Sequence, residues 1–484
     1  MVDEYFSRVL ARNKRVAEET GRQPRFYIRT FGCQMNVRES EQLSGMLSLM
    51  GYAPAADEEN ADLVLYNTCC IRDNAENKIF GNLSYLKFLK QANKNLTVVF
   101  CGCLAQKIGR HENVDVLFGT RNHARFSELL WRYMETGLPV ADISWNEYDS
   151  ASARGNTENP ECMGKQRHMR TELEYVTTNP ALLTSRGHKY KCGINIIYGC
   201  DNFCAYCIVP HVRGRERSRP ADDILNEIQA LVNDGVKEIM LLGQNVNSYG
   251  PGGGTGFHDL LRMVNAAPGL ERVRFMTSHP KDFTDEIIAA VRDCEKVCKS
   301  VHLPLQSGST RILKLMNRRY TKEDYINLAE RLYAAIPGVA LSTDIIVGFP
   351  GETEEDFNET LDVVERVRFA GAFTFLYSKR TGTPAAEMEN TVPESVASER
   401  FKRLTEKINP FLLARNESFI GKTLKIMAEE KKLRLRGRDG TLTGRADDNT
   451  LTHFDARGYL IAPGDIVNVR ITDAKTFYIT GYLE

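Results

Sequence analysis

From Lys191 onward the chain alternates between two periodicities, and that alternation limits its fold more than any other feature. Apolar, β-rich runs stand at CGINIIYG, EIMLLGQN, RVRFMTSH, VHLPLQSG, LSTDIIVGF and GAFTFLYS. Helical patterns separate them, among them ADDILNEIQALVNDG, TDEIIAAVRDCEK, KEDYINLAERLYAAI and EEDFNETLDVVERV. In the first of these, Ile224, Leu225, Ile228 and Leu231 fall on one helical stripe. In the last, Thr353 supplies a helix cap ahead of acids in the first turn. Six strand-helix units predict a parallel sheet with helices outside. Eight would close a full barrel, so residues 186–415 are expected to form an open, partial (β/α)6 barrel. In such folds ligands bind at the carboxyl ends of the strands. Asn245, Ser278, Gln306, Ser307 and Tyr377 stand there.

The rest of the 484 residues exceed what one further ordinary domain needs. Residues 25–150 read strand, helix, strand, helix, strand, which predicts a parallel α/β domain. Residues 1–24 read as a polar helical extension and 151–185 as a linker. Short strands divided by turn signals such as RDG and APGD predict a small antiparallel β-barrel over 416–484. The overall class is therefore α/β with a β-barrel appended. No apolar run is long enough to span a membrane. The charged N-terminus lacks a signal-peptide core, so a cytoplasmic protein without a membrane partner is expected.

Twelve cysteines in such a chain point to metal or redox chemistry before disulfides. Cys200, Cys204 and Cys207 are spaced C-x3-C-x2-C on the loop after the first barrel strand. Three thiolates can hold three irons of a [4Fe–4S] cluster and leave the fourth open, as an open position marks a catalytic rather than a structural metal. The alternative is zinc, with His211 as fourth ligand. In the N-terminal domain every strand ends in cysteine: Cys33, then Cys69 or Cys70, then Cys101 or Cys103. Parallel strands set their carboxyl ends side by side, so a second open-sided triplet is expected. Adjacent Cys69 and Cys70 point to opposite faces of an extended segment, whereas Cys101 and Cys103 share one. Cys294 and Cys298, spaced i, i+4 on a helix, read as core.

The stretch YGCDNFCAYCIVPHVRGRERSRP closely resembles the motif of the radical S-adenosylmethionine methylthiotransferase family. FGCQMN, NTCCIRDNAENK, LLGQNVNSYG, LPLQSGS, DIIVGFPGET and YSKRTGTPA resemble that family too, and the tail resembles its TRAM domain. The resemblance implies two [4Fe–4S] clusters and S-adenosylmethionine as cofactors. It assigns Cys200, Cys204 and Cys207 to the radical cluster, and Cys33, Cys69 and Cys103 to the second one. It implies cofactor contacts from Tyr206, Gln244, Asn245, Ser278, Gln306, Ser307 and Gly348, with simple turn chemistry as the alternative for Gly348 and Gly351. One departure is Cys70, where the family motif has serine.

The implied reaction is radical methylthiolation of C2 of N6-isopentenyladenosine beside the tRNA anticodon. The implied partners are the anticodon stem-loop and an electron donor such as flavodoxin or ferredoxin. The same architecture serves methylthiolation of threonylcarbamoyladenosine in tRNA or of a ribosomal-protein aspartate. A non-enzymatic RNA-binding protein with a structural metal is the reading from another class. RNA contacts are expected from Lys432, Arg434, Arg436 and Arg438, which share one face of a strand, and from Arg213 and Arg217 behind the radical loop. The net charge is zero, so nucleic-acid binding rests on such local patches.

Overall fold

The computed structural model describes residues 2–70, 73–144, 186–250, 254–429 and 440–484. They fall into two units: one takes in the N-terminal domain together with 193–201 and 208–234, the other 189–192, 202–207 and everything from Gly235. The expected linker and the Lys432–Arg438 row lie outside the described residues. No described helix is long and apolar enough to cross a membrane.

The first unit opens with helix α1 (Val2–Thr20), followed by β1 (Arg25–Thr30), α2 (Gln34–Leu49), β2 (Ala53–Pro54), β3 (Leu63–Thr68) and α3 (Asp73–Ala92). It continues through β4 (Thr97–Gly102), α4 (Cys103–Ile108), β5 (Val116–Phe118), α5 (Phe126–Thr136) and β6 (Val140–Asp142). The six strands form one sheet in the order β2-β1-β3-β4-β5-β6, every pair parallel. Strands β3 and β4 are buried over their whole length, as strands covered on both faces must be. The apolar layer on one side includes Leu43, Met46, Leu65, Val99, Cys101 and Phe126. The other includes Val64, Tyr66, Leu86, Phe100, Cys103 and Leu104. Helix α1 differs from the polar extension expected of it. Its Phe6 and Val9 are buried in the first layer, and the Asn13 amide donates to the Met50 carbonyl at 2.9 Å.

Strands β7 (Lys191–Asn195) and β8 (Ile197–Tyr198) lead into the cysteine loop, which is followed in the first unit by α6 (Val209–Arg213), β9 (Arg217–Ser218) and α7 (Ala221–Asn233). Glu227 of α7 lies buried between Arg38 at 2.8 Å and Arg219 at 2.7 Å.

Strands β10 (Glu238–Leu242) and β11 (Arg272–Phe275) of the second unit share a sheet with β7, in the order β11-β10-β7. Strands β12 (Ser300–His302), β13 (Ala340–Val347) and β14 (Gly371–Leu376) form a second parallel sheet. A bridge from Val273 to Val297 continues the order from one sheet to the next. The six expected strands are thus present in sequence order, as a partial barrel. Helix α8 (Phe257–Asn265) and α9 (Asp285–Asp293) come between its early strands, and α10 (Thr310–Leu315), α11 (Lys322–Ala335) and α12 (Glu354–Val367) between its later ones. The Thr353 cap is built as a box: its hydroxyl accepts from the Asp356 N–H, and Asp356 accepts the Thr353 N–H at 2.8 Å. Helix α13 (Glu394–Glu417) leads to a closed barrel of β15 (Thr423–Ala428), β16 (Thr441–Ala446), β17 (Leu451–Asp455), β18 (Ile466–Ala474) and β19 (Ile479–Leu483). Closure corrects the antiparallel expectation at one seam, because β17 and β19 pair parallel.

Candidate functional site

At the carboxyl ends of β1, β3 and β4 the chain makes three tight turns. Gly32 has a φ of +107°, and a Cβ there would stand 2.7 Å from Cys69 Sγ. Gly102 has a φ of +91°, and a Cβ would stand 2.6 Å from Asn67 Oδ1. Only glycine fits either place, so the backbones carrying Cys33, Cys69 and Cys103 come close together. Asn36 fastens two of these turns by donating its amide to Phe31 O at 2.8 Å and to Thr68 O at 3.1 Å. Asn67 answers with a bond to Asn36 O at 2.9 Å.

Buried among these turns is Arg213. Its Nε donates to Cys103 Sγ at 3.3 Å, Nη1 to Glu39 at 2.8 Å and Nη2 to Asn36 Oδ1 at 2.8 Å. Arg213 is only 3% exposed, so the expectation that it meets RNA phosphates is corrected: its donors are turned inward. The Cys103 thiol is held down to about 7 by a hydrogen bond with Cys70 and by the Arg213 charge, against burial. Burial pushes the Cys33 thiol up, with Arg213 opposing it. Cys101 is pushed well up by burial. Cys101 and Cys103 also part company. The first lies within β4, one residue from its end, in one apolar layer, while the second opens α4 in the other. The helix start breaks the strand parity that sequence alone cannot get past. Cys70, the departure from the family motif, is buried and hydrogen-bonded to Cys103, both thiols being free.

The second triplet lies on a turn-rich loop. The Cys200 N–H donates to Gly214 O at 3.0 Å, and the Cys207 N–H to Cys204 O at 2.9 Å. Phe203 is held at a φ of +47°, where Asn317 donates to its carbonyl at 2.9 Å. Arg318, which the sequence does not single out, is buried with Nη1 3.5 Å from Cys204 Sγ and Nη2 3.0 Å from Pro304 O. His211, the zinc alternative, is exposed. Among the described residues no three His, Cys, Asp or Glu side chains converge as ligands of a single ion. A cubane spreads its thiolates over separate irons, so it asks for no such convergence.

Polar groups expected to meet a cofactor lie at or just past the ends of the barrel strands. Asn245 donates to Asp282 at 2.8 Å, while its Oδ1 is buried without a partner among the described residues. Ser278 Oγ and Tyr377 Oη are orphaned in the same way. Such groups are rare in a folded interior without a missing ligand or water to satisfy them. Gln306 is held at a φ of +68° by its N–H to Asp344 O at 2.8 Å and by its carbonyl, which accepts from Ile346 N at 2.9 Å. Ser307 is buried and accepts from Ser309 N. Gln244 is half-buried. Tyr206 packs against a cluster that includes Ala205, Ile312, Met316 and Phe349. Gly348 has a sufficient structural reason of its own: a Cβ there would stand 2.7 Å from Ala397 Cβ, at a φ of +76°. Arg217 is half-buried on β9, and burial lowers its pKa. Cys294 caps the end of α9 and Cys298 lies beyond it, both buried. They do not share a helix face as expected.

One further surface is invisible in the sequence. On β13 and β14, Asp344 pairs with Phe373 and Ile346 with Phe375, so these side chains share a face. Phe373 and Phe375 are exposed at 57% and 44%. His302 joins them, with Nδ1 at 3.0 Å from Ser342 Oγ and Nε2 at 3.3 Å from Asp344.

Comparison with known proteins gives three family matches: the Radical SAM superfamily over residues 194–364, the Uncharacterized protein family UPF0004 over 25–119, and the TRAM domain over 416–483. The chain is 49% identical over 478 residues to a tRNA-2-methylthio-N(6)-dimethylallyladenosine synthase from Acetivibrio thermocellus, covering 97% of this chain and 93% of the relative. It is 47% identical to the protein of the same name from Clostridium beijerinckii, over 95% and 96% of the two chains. Among solved structures, the radical S-adenosylmethionine methyltransferase TsrM from Kitasatospora setae superposes with a TM-score of 0.50 at 12% identity, covering 80% of this chain and 89% of the other. That likeness speaks to the fold alone.

Proposed function

This chain belongs to the tRNA-2-methylthio-N6-dimethylallyladenosine synthases, and from that membership we infer that it exchanges the C2 hydrogen of N6-isopentenyladenosine in tRNA for a methylthio group. It is a radical S-adenosylmethionine enzyme, and its cofactors are S-adenosylmethionine and [4Fe–4S] clusters. The observation that carries the reading is an identity of 49% running through 97% of the chain.

The chemistry explains the cofactors. The hydrogen on C2 of an adenine is neither acidic nor a leaving group, so a nucleophilic side chain has no entry. The clusters and S-adenosylmethionine supply, when bound, the single-electron chemistry that opens such a bond. We assign Cys200, Cys204 and Cys207 to one cluster and Cys33, Cys69 and Cys103 to the other. Each set leaves one metal position to a non-protein ligand.

The remaining residues bind and orient. Asn245 Oδ1, Ser278 Oγ and Tyr377 Oη, buried and unpartnered among the described residues, are suited to the polar groups of S-adenosylmethionine. Tyr206, Gln244, Gln306 and Ser307 complete that set. The exposed rings of Phe373 and Phe375 suit an adenine face and its apolar N6 substituent. The neighbouring His302–Asp344 pair offers the base a polar edge. The β-barrel supplies RNA affinity through the row Lys432, Arg434, Arg436 and Arg438, with Arg217 as a further contact. Reduction calls for a one-electron donor of the flavodoxin or ferredoxin kind, and the RNA element engaged is the anticodon stem-loop.

Nucleoside analysis of tRNA from cells lacking the gene tests the substrate. Isopentenyladenosine without its methylthio group should accumulate. Loss of methylthiolated threonylcarbamoyladenosine in its place would assign the chain to the other tRNA reaction.

A further inference from the structure

The segment that follows the second cysteine triplet in sequence folds onto the first. Arg213 closes α6, where its carbonyl accepts from Arg121 Nε and Nη2 at 3.3 and 3.2 Å. Its guanidinium spends every bond inward, on Cys103 Sγ, on both oxygens of Glu39 and on Asn36 Oδ1. The next residue, Gly214, accepts the Cys200 N–H at 3.0 Å. Gly199 packs so tightly here that a Cβ would stand 2.5 Å from Gly214 O. One dipeptide therefore grips a cysteine of each triplet, by a side chain in one direction and by a carbonyl in the other.

A general rule of iron–sulfur proteins gives this grip a consequence. Hydrogen bonds to ligand sulfur and the net charge nearby set the reduction potential. An N–H donor withdraws electron density from a thiolate and favours the added electron. Glu39, 4% exposed, takes most of the remaining donors. His123 Nε2 faces the same carboxylate from 3.8 Å. The carboxylate opposes the guanidinium charge at Cys103, whereas the N–H···S bond from Arg213 acts on the sulfur directly, beside the hydrogen bond with Cys70.

We propose that Arg213 is a positioning residue for the N-terminal iron–sulfur site: it fixes Cys103 and raises the reduction potential of the cluster there, from a backbone that also anchors Cys200. The proposal rests on Cys33, Cys69 and Cys103 being the ligands of that cluster.

The test uses the full chain with Cys200, Cys204 and Cys207 replaced by alanine, so that only the N-terminal site holds iron. Its midpoint potential is followed by electron paramagnetic resonance. Arg213→Met combined with Glu39→Met removes the buried pair together and strands neither charge, which is the exchange that interiors tolerate best. That variant should keep its iron and become at least tenfold harder to reduce, a fall of about 59 mV for one electron. Glu39→Gln alone should move the potential the other way. Arg213→Lys, which keeps the charge and loses the reach, should fall between the double variant and the parent. Iron retained at an unchanged potential in the double and Arg213→Lys variants would overturn the proposal and leave the ligand assignment standing. No iron in the parent background would overturn the ligand assignment, and the proposal with it.

Discussion

Arg318 stands to Cys204 much as Arg213 stands to Cys103: a buried guanidinium with one donor on a thiol sulfur and the rest on oxygen. Neither arginine can be read as buried from its neighbours. Arg213 sits in VRGRERSRP and Arg318 in MNRRY, where clustered charge suggests solvent, and the carboxylate that receives Arg213 is Glu39, far back in the chain. The cysteines are legible because thiols at strand ends are uncommon and regularly spaced. Their partners are not, because side-chain contacts across a fold leave no local pattern. The neighbourhood of Arg318 also yields a pH effect. His279 is buried, its Nδ1 accepts from Lys281 N, and burial with the charges of Arg318 and Lys281 pushes its pKa down to about 2. A base depressed in the folded state contributes stability above its unfolded pKa of about 6.5 and loses it progressively as pH falls toward the folded value. Between about pH 7.5 and 5.5 this costs about 1.4 kcal/mol by linkage. Urea unfolding of wild type and His279→Asn at both pH values should show the wild type losing that much more.

Element by element, the six-strand series is legible because each strand is flanked by a helix of clear periodicity. Strands β2, β5 and β6, of two or three residues, are too short to leave a pattern. Helix α1 escapes a reading by composition because two buried residues, Phe6 and Val9, anchor an otherwise charged helix. The parallel seam of the small barrel depends on which strands close the ring, and no strand carries that information alone. Gly348 shows how packing between elements dictates a residue that motif reasoning gives to the cofactor. It follows the last residue of β13 and packs against Ala397 of α13. Gly348→Ala should cost about 1–3 kcal/mol in urea unfolding, from the positive φ and the overlap together. A loss of S-adenosylmethionine affinity at undiminished stability would return Gly348 to the cofactor.

For the whole molecule, a net charge of zero confines tRNA attraction to local patches, and the appended barrel carries the densest one in its sequence. Replacing Lys432, Arg434, Arg436 and Arg438 by glutamine should weaken tRNA binding and flatten the plot of log K against log salt. The slope should fall by about 0.7 for each phosphate of an unpaired strand that is no longer neutralised. An unchanged slope would place the RNA surface elsewhere. The central claim is a division of labour between two sets of three cysteines. Its most direct measurement is iron, 5′-deoxyadenosine and methylthio product assayed together in protein with Cys33, Cys69 and Cys103 replaced by alanine and reconstituted without oxygen. Iron should fall by half and product should vanish, while 5′-deoxyadenosine is still formed. Full iron content, or 5′-deoxyadenosine lost along with the product, would contradict it.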